Sequence, residues 1–155
     1  MLTLGLQIST TNPFESCFRM SQITPHEALI HIMVTMSAAD RSMTDKELAK
    51  IGNIIRSLPA FSDYDSGMLV ETAAACGLIL QEENGLQTVI ANALEVLPQH
   101  LHETAYALAV EVAAADLKLE QEELRLLQIL RDRMRLDRLA CAAIERGARA
   151  RHQSI

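Results

Sequence analysis

The chain has 155 residues, 49% of them apolar but only 3% aromatic, with no Trp. Its formal net charge of −6 is uneven: residues 1–130 hold seven Lys and Arg against seventeen acids, a balance of −10, whereas Arg131 onward carries seven Arg against three acids, a balance of +4. A length of about one domain, a palette of Ala, Leu, Ile and Met, and an acidic body point to close helix packing; they argue against base-stacking or sugar-binding surfaces and against nucleic acid as a partner.

Residues 1–19 are expected to form a poorly ordered extension ahead of a single domain over 20–155. Met1-Leu2-Thr3-Leu4-Gly5-Leu6 is mildly apolar but lacks the basic start and cleavage site of a signal peptide. Thr24-Pro25-His26-Glu27 reads as an N-cap, a Pro at the first helical position and a capping Glu. The helix it opens is expected to run to about Ala39, with Leu29, Ile32, Met33 and Met36 forming one apolar stripe. Thr44-x-x-Glu47 resembles a capping box for a second helix, whose buried face is Leu48, Ile51, Ile55 and Leu58. A third helix is expected over about 65–82, where Ala73, Ala74, Ala75 and Cys76 permit close approach of a neighbour.

Asn84-Gly85 breaks the pattern, and Leu86, Val89, Ile90, Ala93, Leu94 and Leu97 then mark a fourth helix. Pro98 begins a fifth, running through Leu101, Ala105, Leu108 and Val112 to about Ala115. A sixth, over about 120–134, presents Leu124, Leu127, Leu130 and Met134. Asp137 is a good N-cap for a seventh, with Leu139, Ala140, Ala143 and Ile144 facing inward before Gly147 and a basic tail. Seven short helices with brief links predict an all-α, compact bundle. The three Cys at unrelated spacings fit buried thiols in a reducing cytoplasm better than a disulfide framework or a zinc site. The longest apolar run, 73–80, is too short to span a bilayer.

Ala-Ala-Asp occurs twice, at Ala38-Ala39-Asp40 and Ala114-Ala115-Asp116, each with a Glu seven residues on, Glu47 and Glu123. The copies stand 76 residues apart, and at the same offset Ile32 meets Leu108, Val34 meets Val110, Met43 meets Leu119 and Leu48 meets Leu124. Shared apolar, small and acidic positions predict duplicated helical hairpins related by a pseudo-twofold axis. A carboxylate at a helix C-terminus faces the negative end of the dipole, so Asp40 and Asp116 call for an offsetting charge or a local cap. Oxygen-only donors from Asp40, Glu47, Asp116 and Glu123 would select a hard divalent cation, Ca²⁺, Mg²⁺ or Mn²⁺, held weakly. The competing reading is ordinary helix capping, which Thr44 supplies for Glu47 and which Glu120 supplies less well for Glu123.

These two motifs resemble the paired motifs of TerB-like domains, the tellurite-resistance type of helical domain. The resemblance covers roughly residues 24–145, although Arg41 and Leu117 stand where the family usually has Gly. It implies a compact helical domain with pseudo-twofold halves, divalent-cation binding on an acidic surface, and a stress-response role among other proteins, often in membrane-associated assemblies. The alternative function is a metal-independent interaction or dimerisation module, hence a homo-oligomer or adaptor. An enzyme is not expected: the chain has no phosphate loop, His-Glu-x-x-His pattern or nucleophile elbow. Glu27 and His31 lie four apart on one helix, a spacing more often incidental than metal-binding. His100 and His102 diverge by about 200° on a helix and cannot readily share an ion. Met33, Met36 and Met43 fit core filling.

Overall fold

The computed structural model describes residues 22–38, 43–115 and 119–155; the extension expected over 1–19 falls outside them. The described residues contain seven α-helices: α1 (Pro25–Ser37), α2 (Asp45–Ser57), α3 (Leu69–Leu80), α4 (Gly85–Val96), α5 (His102–Ala114), α6 (Gln121–Arg133) and α7 (Arg138–Arg151). Single 3-10 turns at Pro59–Phe61, Ser66–Met68 and Gln99–Leu101 join some of them. No described helix is long and apolar enough to cross a membrane. The all-α expectation is met.

Local chemistry starts the helices where the sequence places them. Thr24 Oγ1 accepts the Glu27 amide at 3.2 Å while Glu27 Oε2 accepts the Thr24 amide at 2.6 Å, and Pro25 sits at the first turn. Asp137 Oδ2 accepts the Ala140 amide at 3.0 Å and opens α7. The stretch over 65–82 begins instead as a 3-10 turn, because Asp65 Oδ1 accepts the Gly67 amide at 2.9 Å and tightens the first turn; α3 proper starts at Leu69.

Helix α1 lies at the centre. Every residue from Ala28 to Met36 is buried, so the single stripe expected there is corrected to burial on all faces. Helices α3, α4 and α5 all pack on α1, and α2 adds a further neighbour. A helix with no polar face is stable only when surrounded. Helix α2 behaves as expected, burying Ile51 and Ile55 and exposing Lys46, Lys50 and Arg56. Around α5 a second group forms, with α6 and α7 against it. An aromatic corner, His26 with Phe61 and Tyr64 at ring-centroid distances of 5.5–6.0 Å, ties the start of α1 to the α2–α3 link. His26 Nε2 also lies 3.0 Å from the Ala60 carbonyl oxygen.

Three inward expectations fail. Leu124 is 51% exposed, because the buried face of α6 runs through Glu123, Leu126, Leu127 and Leu130. Leu139 and Ala143 are exposed, because α7 turns Cys141, Ile144 and Ala148 toward α5. Nor does α7 stop before Gly147; that residue lacks a positive φ and the helix continues to Arg151. Just past the end of α6, Arg135 takes φ 51°, with the Leu136 amide donating to the Arg131 carbonyl at 3.0 Å. This is the Schellman arrangement, filled by a residue other than Gly.

Gly85 closes the α3–α4 turn for a steric reason: a Cβ there would stand 2.2 Å from the Ile79 carbonyl oxygen and 2.7 Å from Leu80 Cα. Gly77 of α3 meets nothing within 4 Å. Gly85→Ala should therefore destabilise the fold by about 1–3 kcal/mol. Gly77→Ala should stabilise it by about 0.5–1 kcal/mol through helix propensity. Urea unfolding of the two variants checks both signs, and equal effects would refute the steric account.

Candidate functional site

The two acidic junctions are seen from their C-terminal sides; Asp40 and Asp116 lie outside the described residues. Glu47 Oε2 accepts the Thr44 amide at 2.6 Å and the Thr44 hydroxyl at 2.9 Å, while the Glu47 amide donates to Thr44 Oγ1 at 3.4 Å. Glu123 Oε2 accepts the Glu120 amide at 2.8 Å. Both carboxylates are thus turned onto the first turn of their own helix, where the positive end of the dipole favours them. Glu123 is the more deeply placed, at 7% exposure. The sequence undervalued its capping role because reciprocal capping by a Glu needs only the backbone amide of the cap residue, not a Thr hydroxyl.

Among the described residues, no group of three or more His, Cys, Asp or Glu side chains is gathered as metal ligands would be. Glu47 and Glu123 contribute helix caps to the described structure, while the other two carboxylates of the expected donor set, Asp40 and Asp116, lie outside the described residues. His31, four residues from Glu27, is a core residue, 2% exposed, and its Nδ1 has no hydrogen-bond partner among the described residues. Its carbonyl oxygen instead takes the Thr35 hydroxyl at 2.7 Å and the Cys76 thiol at 3.6 Å. Burial pushes the Cys76 thiol up to about 11, so it is a packed neutral group and not a nucleophile.

What the junctions do build is a groove. A cavity of about 810 Å³ opens between the end of α1, the start of α2 and the outer side of α3. Val34, Leu48, Ala73 and Leu126 give it apolar walls, Val70 stands on its edge 65% exposed, and Asp45 and Glu122 put carboxylates at its lip. No Lys, Arg or His lines it among the described residues. Asp45 follows the first junction and Glu122 the second, so the fold turns both acidic segments toward one surface. Nothing in the sequence signalled this, because it depends on the fold bringing residues of α2, α3 and α6 to one cavity.

A smaller cavity of about 170 Å³ lies on the other side of α2, where Glu47 and Lys50 share it with Glu111, Ala115 and His152. There Glu111 Oε1 lies 2.9 Å from His152 Nε2, and Glu111 Oε2 accepts from Arg151 Nη2 at 2.5 Å. Arg151 and His152 so fasten the end of α7 to the last turn of α5. Burial alone would raise the Glu111 carboxyl, but hydrogen bonds from Arg151 and His152 outweigh it and hold the group below its ordinary range.

These groups set two acid-sensitive steps. Burial lowers the His31 imidazole, against the opposing pull of Glu27 and the Thr72 backbone. The unfolded chain therefore binds the extra proton first, and stability should fall as pH drops below the ordinary histidine value of 6.5. Glu111 contributes stability above its ordinary value of 4.5 that is lost as pH falls through its lower folded value. Chemical denaturation across pH 7 to 3 should show His31→Leu abolishing the upper step. Glu111→Gln should abolish the lower one and cost about 0.5–1 kcal/mol at neutral pH. A profile unchanged in both variants would refute the assignment.

Comparison with known proteins returns no matching family model, no matching curated relative and no matching solved structure.

Proposed function

We propose that this domain is a metal-independent protein-interaction module that seats a basic amphipathic helix of a partner protein in the α1–α2–α3 groove. The observation that carries the reading is the groove itself: apolar walls, an exposed Val70 on the edge, carboxylates at the lip and no basic side chain in the described lining. Helix-in-groove recognition needs an apolar slot for anchor residues spaced one turn apart, and a rim of opposite charge to orient the helix. The acidic bulk of residues 1–130 extends the field that attracts such a partner. Capping by Glu47 and Glu123 supports a structural purpose for these carboxylates, shaping the hairpins that form the slot. Two buried, free cysteines, Cys76 and Cys141, suit a reducing cytoplasm.

A second reading follows the TerB-like resemblance: a stress-response domain that binds a divalent cation weakly through Asp40, Glu47, Asp116 and Glu123. The placement of Asp45 and Glu122 on one groove favours it, since carboxylates from both junctions face a common space. The two readings part on the role of metal. Fluorescence anisotropy with a labelled synthetic Leu/Lys amphipathic peptide should show binding that weakens with salt and ignores a chelator. Val70→Ser should weaken it about tenfold, the loss expected for one apolar anchor. The double reversal Asp45→Lys with Glu122→Lys should weaken it at least as much. Absence of binding, or indifference to both variants, refutes the interaction reading. Heat on titrating Mn²⁺ or Ca²⁺, lost in Asp40→Asn with Asp116→Asn, would favour the cation reading instead.

A further inference from the structure

A second cavity, of about 490 Å³, opens between α5, α6 and α7, away from the acidic lip. Six of its wall positions stand 76 residues from wall positions of the first groove, four of them apolar pairs: Val110 and Val34, Ala114 and Ala38, Leu119 and Met43, Leu124 and Leu48; the other two set Arg149 against Ala73 and Gln153 against Gly77. The apolar walls are alike; the polar ends are opposite. Asp45 and Glu122 edge the first groove, whereas Arg131 and Arg149 line the second.

The polar end of the second cavity is partly committed. Tyr106, itself fully buried, donates its hydroxyl to Glu145 Oε1 at 2.5 Å, and Arg131 Nη1 stands 4.0 Å from the same oxygen. Glu145 therefore has a phenol and a guanidinium to offset its charge. Arg149 lies four residues further along α7, one turn on, and its guanidinium has no hydrogen bond or ion pair among the described residues. On the facing wall Leu119 and Leu124 are 44% and 51% exposed, apolar surface left in water beside an uncommitted cation. The volume falls within the range of about 300–1,000 Å³ typical of small-molecule sites, in which apolar walls and a few convergent polar groups fix the ligand.

We propose that this cavity binds a single-chain amphipathic carboxylate, of the fatty-acid class. Its carboxylate takes the Arg149 guanidinium as a two-pronged donor. Its chain lies along Leu119, Leu124 and Leu127, covering the exposed leucines. Arg131, 4.0 Å from the Glu145 oxygen, offsets part of that residue's repulsion of the headgroup, and the Tyr106 hydroxyl occupies the same oxygen.

Calorimetric titration of the full chain with sodium decanoate, kept below its micelle-forming concentration, tests this, with 1-decanol as the uncharged probe of equal chain length. Decanoate should bind one per chain, about tenfold tighter than decanol, the difference expected of one charge-assisted pair. Arg149→Gln should erase that preference by weakening decanoate alone, while Leu124→Ser should weaken both probes. Leu124 and Arg149 are exposed, so both variants should keep the wild-type helical circular dichroism. Equal affinity for the two probes, no binding of either, or a preference that survives Arg149→Gln overturns the proposal.

Discussion

Helix α1 has no side that water can take, and the rest of the bundle is arranged around that fact. From Ala28 to Met36 its side chains are apolar or, at His31 and Thr35, polar groups buried within the packing. Thr35 returns its hydroxyl to the His31 carbonyl, so one of the two polar side chains satisfies itself within the helix. The other, His31, has no partner for Nδ1 among the described residues, and burial disfavours the charged ring. Covering such a helix takes several neighbours, which is why α3, α4 and α5 converge on it from different directions. With α1 enclosed, α6 and α7 are left to pack on the outer part of α5.

That arrangement creates the grooves. Helices α2 and α6 follow α1 and α5 in the chain, and each carries in its first turn a Glu that accepts the amide of its own cap residue. The caps determine where each helix begins. Beyond the caps, α2 and α6 stand off far enough from α3 and α7 to leave apolar walls open to solvent. Charge then distinguishes the two openings. The N-terminal parts of α2 and α6 bring acids to the first, and the Arg-rich stretch from Arg131 onward supplies the cations of the second. An acidic body with a basic end is thus resolved in three dimensions into two grooves of similar walls and opposite lips.

Much of the fold was legible in the chain. Caps at Thr24, Thr44 and Asp137 are local chemistry, satisfied within four residues, and they fall where the sequence places them. The amphipathic face of α2 and the stripe of α4 were equally direct, because one apolar side on a polar helix has a single sensible orientation. The misplaced residues share a different character. Leu124 and Leu139 are apolar yet exposed, Leu124 at the edge of the buried face of α6 and Leu139 on the solvent side of α7, because the partner helix decides which face is covered. His31 reads as polar in a sequence and proves to be core, because only the enclosure of α1 tells which polar residues go inside.

The candidate site divides the same way. Residue types, their spacing and the acidic repeats at Glu47 and Glu123 follow from the sequence alone, and so does the capping power of Thr44, since a capping box closes over four consecutive residues. That Asp45 and Glu122 edge one groove, that Arg149 stands beside bare leucines, and that Glu111 holds the end of α7 belong to the tertiary structure. Each of these joins positions tens of residues apart, brought together by the burial of α1 and α5; helical periodicity gives the face of one helix and carries no information about what will lie opposite.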